Sequence, residues 1–110
     1  MKILASGLGA GIGQYTGRVH VISSPDELNQ LQEGEVLVVK RSNPVWTVGM
    51  LKAGAVISET GGIISHSAIV AREMGVPCIV GVENATSLLH TGMTVSVDGE
   101  NGNIYDTQNE

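Results

Sequence analysis

The sequence predicts one small α/β domain, and three observations support that prediction. Residues 35–40 and 53–58 are short and almost continuously apolar, as strands buried on both faces are. Segments with helix start and stop signals alternate with these runs, whereas both ends of the chain are strand-rich. A length of 110 residues suffices for one domain with one core. We therefore expect a single domain over residues 1–110, with about seven strands and three or four helices, and with residues 106–110 frayed.

The first part of the chain is predicted to contain two strands joined by a glycine-rich loop. Residues 2–5 are a short apolar run, and residues 16–22 alternate apolar and polar side chains as a strand does. Four glycines lie in residues 6–13, but their spacing does not give G-x-G-x-x-G, and no Lys completes a P-loop. We therefore expect a flexible loop here and no nucleotide site.

A capping box follows the second predicted strand. Ser24 and Glu27 stand at the required spacing, and Pro25 occupies the first helical position. This pattern predicts a short helix to about residue 32 that turns its leucines toward the core. After the buried run, Asn43 and Pro44 predict a second helix start.

The last third of the chain is predicted to form a strand, a short helix and a hairpin. Residues 78–80 are the strand and residues 83–89 the helix, with His90 in the last helical turn as a structural residue. Residues 94–98 and 103–105 alternate as strands around a turn rich in Asp, Gly and Asn.

Composition argues against several classes of function. The formal net charge is −5 and no basic patch occurs, which argues against nucleic-acid binding. No apolar run approaches the roughly 18 residues of a membrane span, and there is no signal-peptide pattern. The single cysteine, Cys78, has apolar neighbours and fits a buried structural thiol in a reducing cytoplasm. The three histidines show no ligand spacing, so we expect no structural metal.

The strongest functional signal lies in residues 59–77. Ser65 is the predicted N-cap of a helix, Gly75 the residue just past its end, and Pro77 a stop. His66 therefore falls in the first turn, at the positive end of the helix dipole, where anions bind. The dipole also favours a neutral, nucleophilic imidazole. A histidine placed there can attack a phosphoryl group and hold it, although a lone first-turn histidine can also be a surface or capping residue.

The same run closely resembles the phosphohistidine motif of the phosphoenolpyruvate-utilising enzymes. The matching letters are E-T-G-G-x-x-S-H-x-A-I-V-A-R-E-x-G-x-P. That family includes pyruvate phosphate dikinase, phosphoenolpyruvate synthase and enzyme I of the sugar phosphotransferase system. The resemblance extends to most of the chain, since the glycine-rich stretch leading into a G-x-V strand is similar to the start of the family's domain. It implies the swivelling three-layer β/β/α domain, with the active His66 at a helix N-terminus and its Nε2 as the phosphorylated atom.

The candidate site residues besides the histidine are donors to a phosphate or residues that orient the loop. The expected donors are backbone N–H groups in residues 65–68 and at the glycine pair, and the nearby hydroxyls are either donors or only caps. The full set is Ser65, Gly61, Gly62, Thr60, Ser42, Glu59 and Arg72.

The resemblance implies roles for three of these residues. Ser42 occupies the position of a hydroxyl residue, before x-Pro, that lies near the phosphohistidine in the family. Glu59 matches an acidic position and could orient the loop by accepting backbone N–H bonds. Arg72 matches the family's Ala-Arg pair, but six residues along a helix place it about 240° away from His66. We therefore expect Arg72 to brace the loop or the neighbouring Ser42 turn rather than face the phosphate.

The chain departs from the family in two respects. Ile64 stands two residues before His66, where plant-type dikinases and many synthases have a regulatory Thr, so we expect that control to be absent. The chain also contains no ATP-grasp-like nucleotide site and no barrel for phosphoenolpyruvate. We therefore expect it to bind no cofactor itself, with ATP and Mg²⁺ bound by a partner.

The resemblance implies a cytoplasmic phosphoryl carrier that is catalytically incomplete on its own. His66 would pass phosphate between an ATP-grasp-like nucleotide-binding subunit and a phosphoenolpyruvate- or pyruvate-binding subunit or domain. We expect a free-standing carrier, with an excised piece of a longer chain as the alternative. Two other functions stay open, namely a regulatory or binding module that keeps the fold without transfer, and the swivelling domain of an unrelated dehydratase.

Overall fold

The computed structural model describes residues 2–41, 49, 51–61 and 66–107, and these ranges contain eight strands. Their bounds are β1 Lys2–Ser6, β2 Leu8–Gly9, β3 Gln14–Val21, β4 Val36–Val39, β5 Ala55–Ser58, β6 Cys78–Val80, β7 Thr94–Asp98 and β8 Asn103–Asp106. Three helices are named here by type or by first residue: the 3₁₀ helix Pro25–Gln30, the His66 helix His66–Met74 and the Ala85 helix Ala85–Leu88.

Strand β3 belongs to two sheets and thereby connects them. Its residues 14–18 pair antiparallel with β7, whereas residues 19–21 pair parallel with β4. Beyond β7 the antiparallel sheet continues through β8 to β1, and beyond β4 the parallel sheet continues through β5 to β6. β2 pairs antiparallel with β6. Because only Gly7 separates β1 from β2, the chain also passes directly between the outer edges of the two sheets.

Two hydrophobic cores divide the domain into three layers. Val38 of β4 joins a core shared with Val97 of the antiparallel sheet, whereas the adjacent Val39 joins a second core shared with Ala68 and Ala71 of the His66 helix. Every residue of β4 and of β5 is buried, as parallel strands covered on both faces are. The layers are therefore antiparallel sheet, parallel sheet and helix, which confirms the predicted β/β/α arrangement.

The glycine-rich stretch is packed against the body of the domain, so the prediction of a flexible loop is wrong. The stretch contains β2, and a Cβ on Gly7, Gly9 or Gly11 would lie 2.4 to 2.5 Å from a carbonyl oxygen of another segment. The N–H groups of Ala10 and Gly11 donate to the Cys78 carbonyl at 2.8 and 3.2 Å. Close approach of two backbones therefore explains why these positions are glycine.

The segment after β3 forms a 3₁₀ helix that ends at Gln30, slightly earlier than predicted. Ser24 makes no side-chain cap bond, and the Glu27 carboxylate accepts the N–H of Ser23 at 3.4 Å instead. The predicted capping box is thus only half formed and displaced by one residue. Leu31 is buried in the core, as predicted.

Two expectations for the last third of the chain are wrong. The Ala85 helix ends at Leu88, so the exposed His90 lies beyond it rather than in its last turn. Asp106 is buried as the last residue of β8, and the Thr107 hydroxyl donates to the Thr94 carbonyl at 2.9 Å. The main-chain pairing and this bond hold two residues that were expected to fray.

Candidate functional site

Three parallel strands end at one edge of the sheet, and candidate residues follow them there. β4, β5 and β6 run in the same direction, so the segments that leave their carboxyl ends meet. Lys40, Glu59 and Gly81 are the first residues after these three strands. In open α/β sheets, this carboxyl edge is where ligands bind.

Hydrogen bonds to neighbouring segments hold the chain that leaves β5. The N–H groups of Glu59 and Thr60 donate to the carbonyls of Val39 and Lys40 at 3.0 and 3.1 Å, which extends the pairing with β4. The fully buried Ser58 hydroxyl donates to the Thr60 carbonyl at 2.8 Å. The direction of the chain at this point is therefore fixed by main-chain and side-chain bonds together.

The chain that leaves β6 packs on the same segment. The Val82 N–H donates to the Ser58 carbonyl at 3.1 Å. Gly61 and Gly81 have φ angles of 105° and 67°, and a Cβ on Gly81 would lie 3.4 Å from the Gly61 carbonyl oxygen. Both turns therefore use conformations that glycine adopts without strain.

A carboxylate links these two segments. Oε2 of Glu59 accepts the backbone N–H of Thr86 at 2.7 Å and also accepts a short hydrogen bond from the Thr86 hydroxyl. Thr86 is the second residue of the Ala85 helix, so the carboxylate lies at the positive end of that helix. The Thr86 hydroxyl, its N–H group and the Lys40 charge outweigh partial burial and hold the pKa of Glu59 below its usual value. Glu59 is therefore ionised at neutral pH.

The His66 helix begins at His66 and ends in a Schellman motif. The Val76 N–H donates to the Ala71 carbonyl at 2.9 Å, and the Gly75 N–H donates to the Arg72 carbonyl at 3.3 Å. Gly75 has a φ of 72°, as the residue just past such a helix end requires. The predicted stop signal at Gly75 is confirmed.

Small residues of the His66 helix face the parallel sheet. Ala68 and Ala71 are fully buried, whereas Arg72 is exposed. Burial raises the pKa of the Cys78 thiol to about 12, and the Arg72 charge opposes that rise. Cys78 opens β6 at the amino edge of the sheet. The Arg72 charge that acts on this thiol is therefore near the same edge, toward the end of the helix that is far from His66.

The structure thus brings Glu59, Thr60 and Gly61 to the edge of the sheet that leads to the His66 helix. Arg72 stands in the last turn of the His66 helix, and its predicted bracing role stays a prediction. The predicted site groups that lie outside the described part of the chain are Ser42, Gly62, Ser65 and the His66 side chain.

Sequence reasoning missed two residues at this edge. Thr86 lies 27 positions from Glu59, and Lys40 is two residues from the expected Ser42 site. The strand order supplies the missing signal, because it places the segments after β4 and β6 on either side of the segment after β5.

Other features of the described residues do not coincide with this edge. A groove of about 670 Å³ lies at the amino edge of the sheet, lined in part by Tyr15, Gly54 and Glu100. In the described ranges, no three His, Cys, Asp or Glu side chains are grouped as metal ligands would be. Nor does a helix within those ranges have the length and apolar character needed to cross a membrane.

The fold and the edge define a β/β/α domain in which the helix that starts at the motif histidine joins two parallel strands. The chain belongs to the family described as the PEP-utilising enzyme, mobile domain, whose model matches residues 31–102. The resemblance inferred from the motif is therefore confirmed, and the swivelling domain fold with it.

The curated relatives are much longer than this chain. Phosphoenolpyruvate synthase of Pyrococcus furiosus is 44% identical over 104 residues, which span 94% of this chain and 13% of that protein. The chain therefore corresponds to about an eighth of that relative.

Solved structures show the same fold in proteins with different names. The solution structure of an enzyme I protein superposes with a TM-score of 0.63 at 32% identity, over 73% of this chain and 33% of that chain. Aconitase X of Thermococcus kodakaraensis, in its holo form, superposes with a TM-score of 0.63 at 20% identity, over 92% and 95% of the two chains. The second likeness shows the fold alone, so function has to be inferred from the motif and its surroundings.

Proposed function

We propose that this chain is a phosphoryl carrier whose His66 is transiently phosphorylated. The observation that carries the proposal is that an α-helix begins at His66, in a chain that belongs to the PEP-utilising mobile domain family. A helix start favours bound phosphate through its N–H groups and its dipole. In this proposal Gly61, Gly62 and Ser65 shape the phosphate pocket.

The chemistry needs one nucleophilic nitrogen and fixed donors. The lone pair of His66 Nε2 attacks phosphorus, the bond from phosphorus to the enol oxygen of phosphoenolpyruvate breaks, and the released enolate takes a proton to give pyruvate. The transition state is loose and metaphosphate-like, so positioning and charge neutralisation supply most of the catalysis. The Thr60 and Ser42 hydroxyls are proposed donors, whereas Glu59 and Arg72 hold the surrounding segments.

The proposal includes two partners. One is an ATP-grasp-like subunit or domain that binds ATP and Mg²⁺, and the other is a subunit or domain that binds phosphoenolpyruvate or pyruvate. The name phosphoenolpyruvate synthase, carried by a relative of which this chain spans 13%, supports partners of this kind. We place the carrier in the cytoplasm, a setting that suits the buried thiol of Cys78.

Two rival functions are disfavoured by different observations. The dehydratase alternative shares the fold, but the mobile domain family match and the intact motif around His66 favour phosphoryl transfer. A module that had lost transfer would not need a histidine at this helix start, and the chain keeps His66 there. Neither rival predicts a covalent phosphate.

The test measures phosphoryl uptake by intact mass. The chain is incubated with phosphoenolpyruvate and the Pyrococcus furiosus phosphoenolpyruvate synthase, in which the mobile-domain histidine has been replaced by alanine. We expect a mass increase of one phosphoryl group that acid removes, since phosphohistidine is acid-labile. His66→Ala and His66→Asn should abolish the increase, and Arg72→Ala should slow it.

A matched histidine supplies the control. His90 is exposed and lies beyond the Ala85 helix, so His90→Ala should take up phosphate like the unmodified chain. Acid-labile uptake by folded His66→Ala would overturn the proposal, as would no uptake by the unmodified chain from any family donor.

A further inference from the structure

We infer that Thr86 is a positioning residue for phosphoryl transfer and that it acts on His66 through Glu59. The inference rests on the proposed function and adds to it a residue that lies outside the family's histidine motif. Its basis is the pair of hydrogen bonds that the Glu59 carboxylate accepts from one residue, Thr86.

The link between Glu59 and Thr86 crosses between two elements. Glu59 directly follows β5, whose four residues are all buried, so one end of the link stands on a rigid strand. Thr86 stands on the Ala85 helix, which is anchored in turn by the fully buried Ala85 and Leu89. Both bonds end on Oε2 of Glu59, so they fix the position of that oxygen beside the helix, and a charged acceptor makes them stronger than neutral hydrogen bonds.

The link fixes the start of the segment that leads to His66. Four residues separate Gly61 from His66, and buried Ala68 and Ala71 anchor the helix that follows. On the other side, the bonds of Ser58, Glu59 and Thr60 anchor the chain before Gly61. Loss of the Thr86 hydroxyl would remove one of the bonds that hold the Glu59 carboxylate. The two hydrophobic anchors, Ala68 with Ala71 and Ala85 with Leu89, would stay unchanged.

The expected effect follows from how strongly transfer depends on geometry. Misplacement of a reacting group by about 1 Å lowers a rate by up to about 100-fold. We expect Thr86→Val, which keeps the side-chain shape and the backbone N–H, to lower the maximal uptake rate by about 10- to 100-fold. The donor concentration for half-maximal rate should not change, because Thr86 acts on His66 and not on the donor.

The experiment compares three substitutions on one short helix in rapid-quench phosphoryl uptake. Thr86→Ser keeps the hydroxyl and should restore most of the rate that Thr86→Val loses. Ser87→Ala changes an exposed neighbouring hydroxyl and should behave like the unmodified chain. Circular dichroism and urea unfolding show that each variant is folded under the assay conditions. The final extent of phosphorylation should equal that of the unmodified chain in all three.

A double variant tests whether Thr86 acts through Glu59. If it does, Glu59→Gln combined with Thr86→Val should lose little more rate than the worse single variant. Additive losses would overturn the inference. It would also be overturned by an unchanged rate in Thr86→Val, by an equal loss in Ser87→Ala, by failure of Thr86→Ser to restore the rate, or by a change confined to the half-maximal concentration.

A spectroscopic readout separates this inference from the proposed function. The imidazole signals of His66 in a heteronuclear NMR spectrum should shift in Thr86→Val, return in Thr86→Ser and stay unchanged in Ser87→Ala. If the unmodified chain takes up no phosphate but this pattern is seen, the proposed function fails and the coupling of Thr86 to His66 stands. If phosphate is taken up and the signals do not respond to Thr86→Val, the coupling fails and the carrier function stands.

Discussion

Replacing Gly11 by alanine would place a methyl group where the backbone of another segment already lies. The new Cβ would stand 2.4 Å from the Val76 carbonyl oxygen and 2.6 Å from the Cys78 nitrogen, about 1 Å short of ordinary van der Waals contact. Neither atom belongs to a flexible side chain, so two backbone segments must separate to admit the methyl group.

The loss of stability is estimated from the contacts that would be disturbed. Overpacking of this kind costs about 1–3 kcal/mol and occasionally more. The separation would also weaken the bonds from the N–H groups of Ala10 and Gly11 to the Cys78 carbonyl, and such bonds contribute roughly 0.5–1.5 kcal/mol each. We therefore expect Gly11→Ala to lower the free energy of unfolding by about 3 kcal/mol or more.

Gly13 provides a matched control two residues further along the chain. It has a φ of 84°, but a Cβ there would have no atom within 4 Å. Gly13→Ala therefore suffers only left-handed backbone strain, about 1–2 kcal/mol, part of which is offset by reduced freedom of the unfolded chain. We expect a net loss of about 1 kcal/mol.

Urea unfolding followed by circular dichroism distinguishes the two variants. With a denaturant slope of roughly 2 kcal/mol per molar, the midpoint should fall by about 1.5 M or more for Gly11→Ala and by about 0.5 M for Gly13→Ala. Equal shifts would refute the reasoning, because they would mean that the glycine-rich stretch tolerates side chains as a loose loop does.

Two further predictions concern groups with displaced pKa values. Burial raises the pKa of the Cys78 thiol to about 12. At pH 8 a thiol reagent should therefore label the chain in urea but not the folded chain. The free energy of unfolding should fall between about pH 9, where the unfolded thiol ionises, and pH 12. The pKa of Asp98 is held below its usual value by the Asn101 side-chain amide and by the N–H groups of Asn101 and Glu100. The ionised Asp98 carboxylate therefore stabilises the folded chain above about pH 4, and this contribution is lost as the pH falls through the lowered pKa. Asp98→Asn should therefore be less stable than the unmodified chain at pH 7 in urea unfolding, with a smaller difference at pH 2, and an equal difference at both pH values would contradict the assignment.

The central strands could be predicted from the sequence because burial on both faces leaves a plain signal. The runs that contain β4 and β5 are apolar at nearly every position, and the prediction for β6 matches Cys78–Val80. The end of the His66 helix was equally predictable, because the positive φ of Gly75 is a requirement that few other residues meet. Both signals are local, so neither depends on knowing the strand order.

The features that were mispredicted depend on contacts between distant segments. Gly7 and Gly9 look like loop residues in the sequence, and their packing against Val80 and Glu100 becomes apparent only when β2 is paired with β6. Asp106 lies near the end of the chain, where fraying is common, but pairing of β8 with β1 and β7 holds it. Sequence spacing contains no direct record of such pairings.

The position of Thr86 shows how strand order turns separate segments into one candidate site. The parallel order of β4, β5 and β6 requires the segments after all three strands to meet at one edge. One of those segments leads into the motif, and the next begins the Ala85 helix, whose N-terminal end favours a carboxylate. An acidic residue directly after β5 can therefore restrain the approach to His66 through a donor on the segment after β6, and Thr86 supplies two donors. For the proposed carrier, the Ala85 helix is therefore part of the support for the histidine, although it lies outside the motif that marks the site in the sequence.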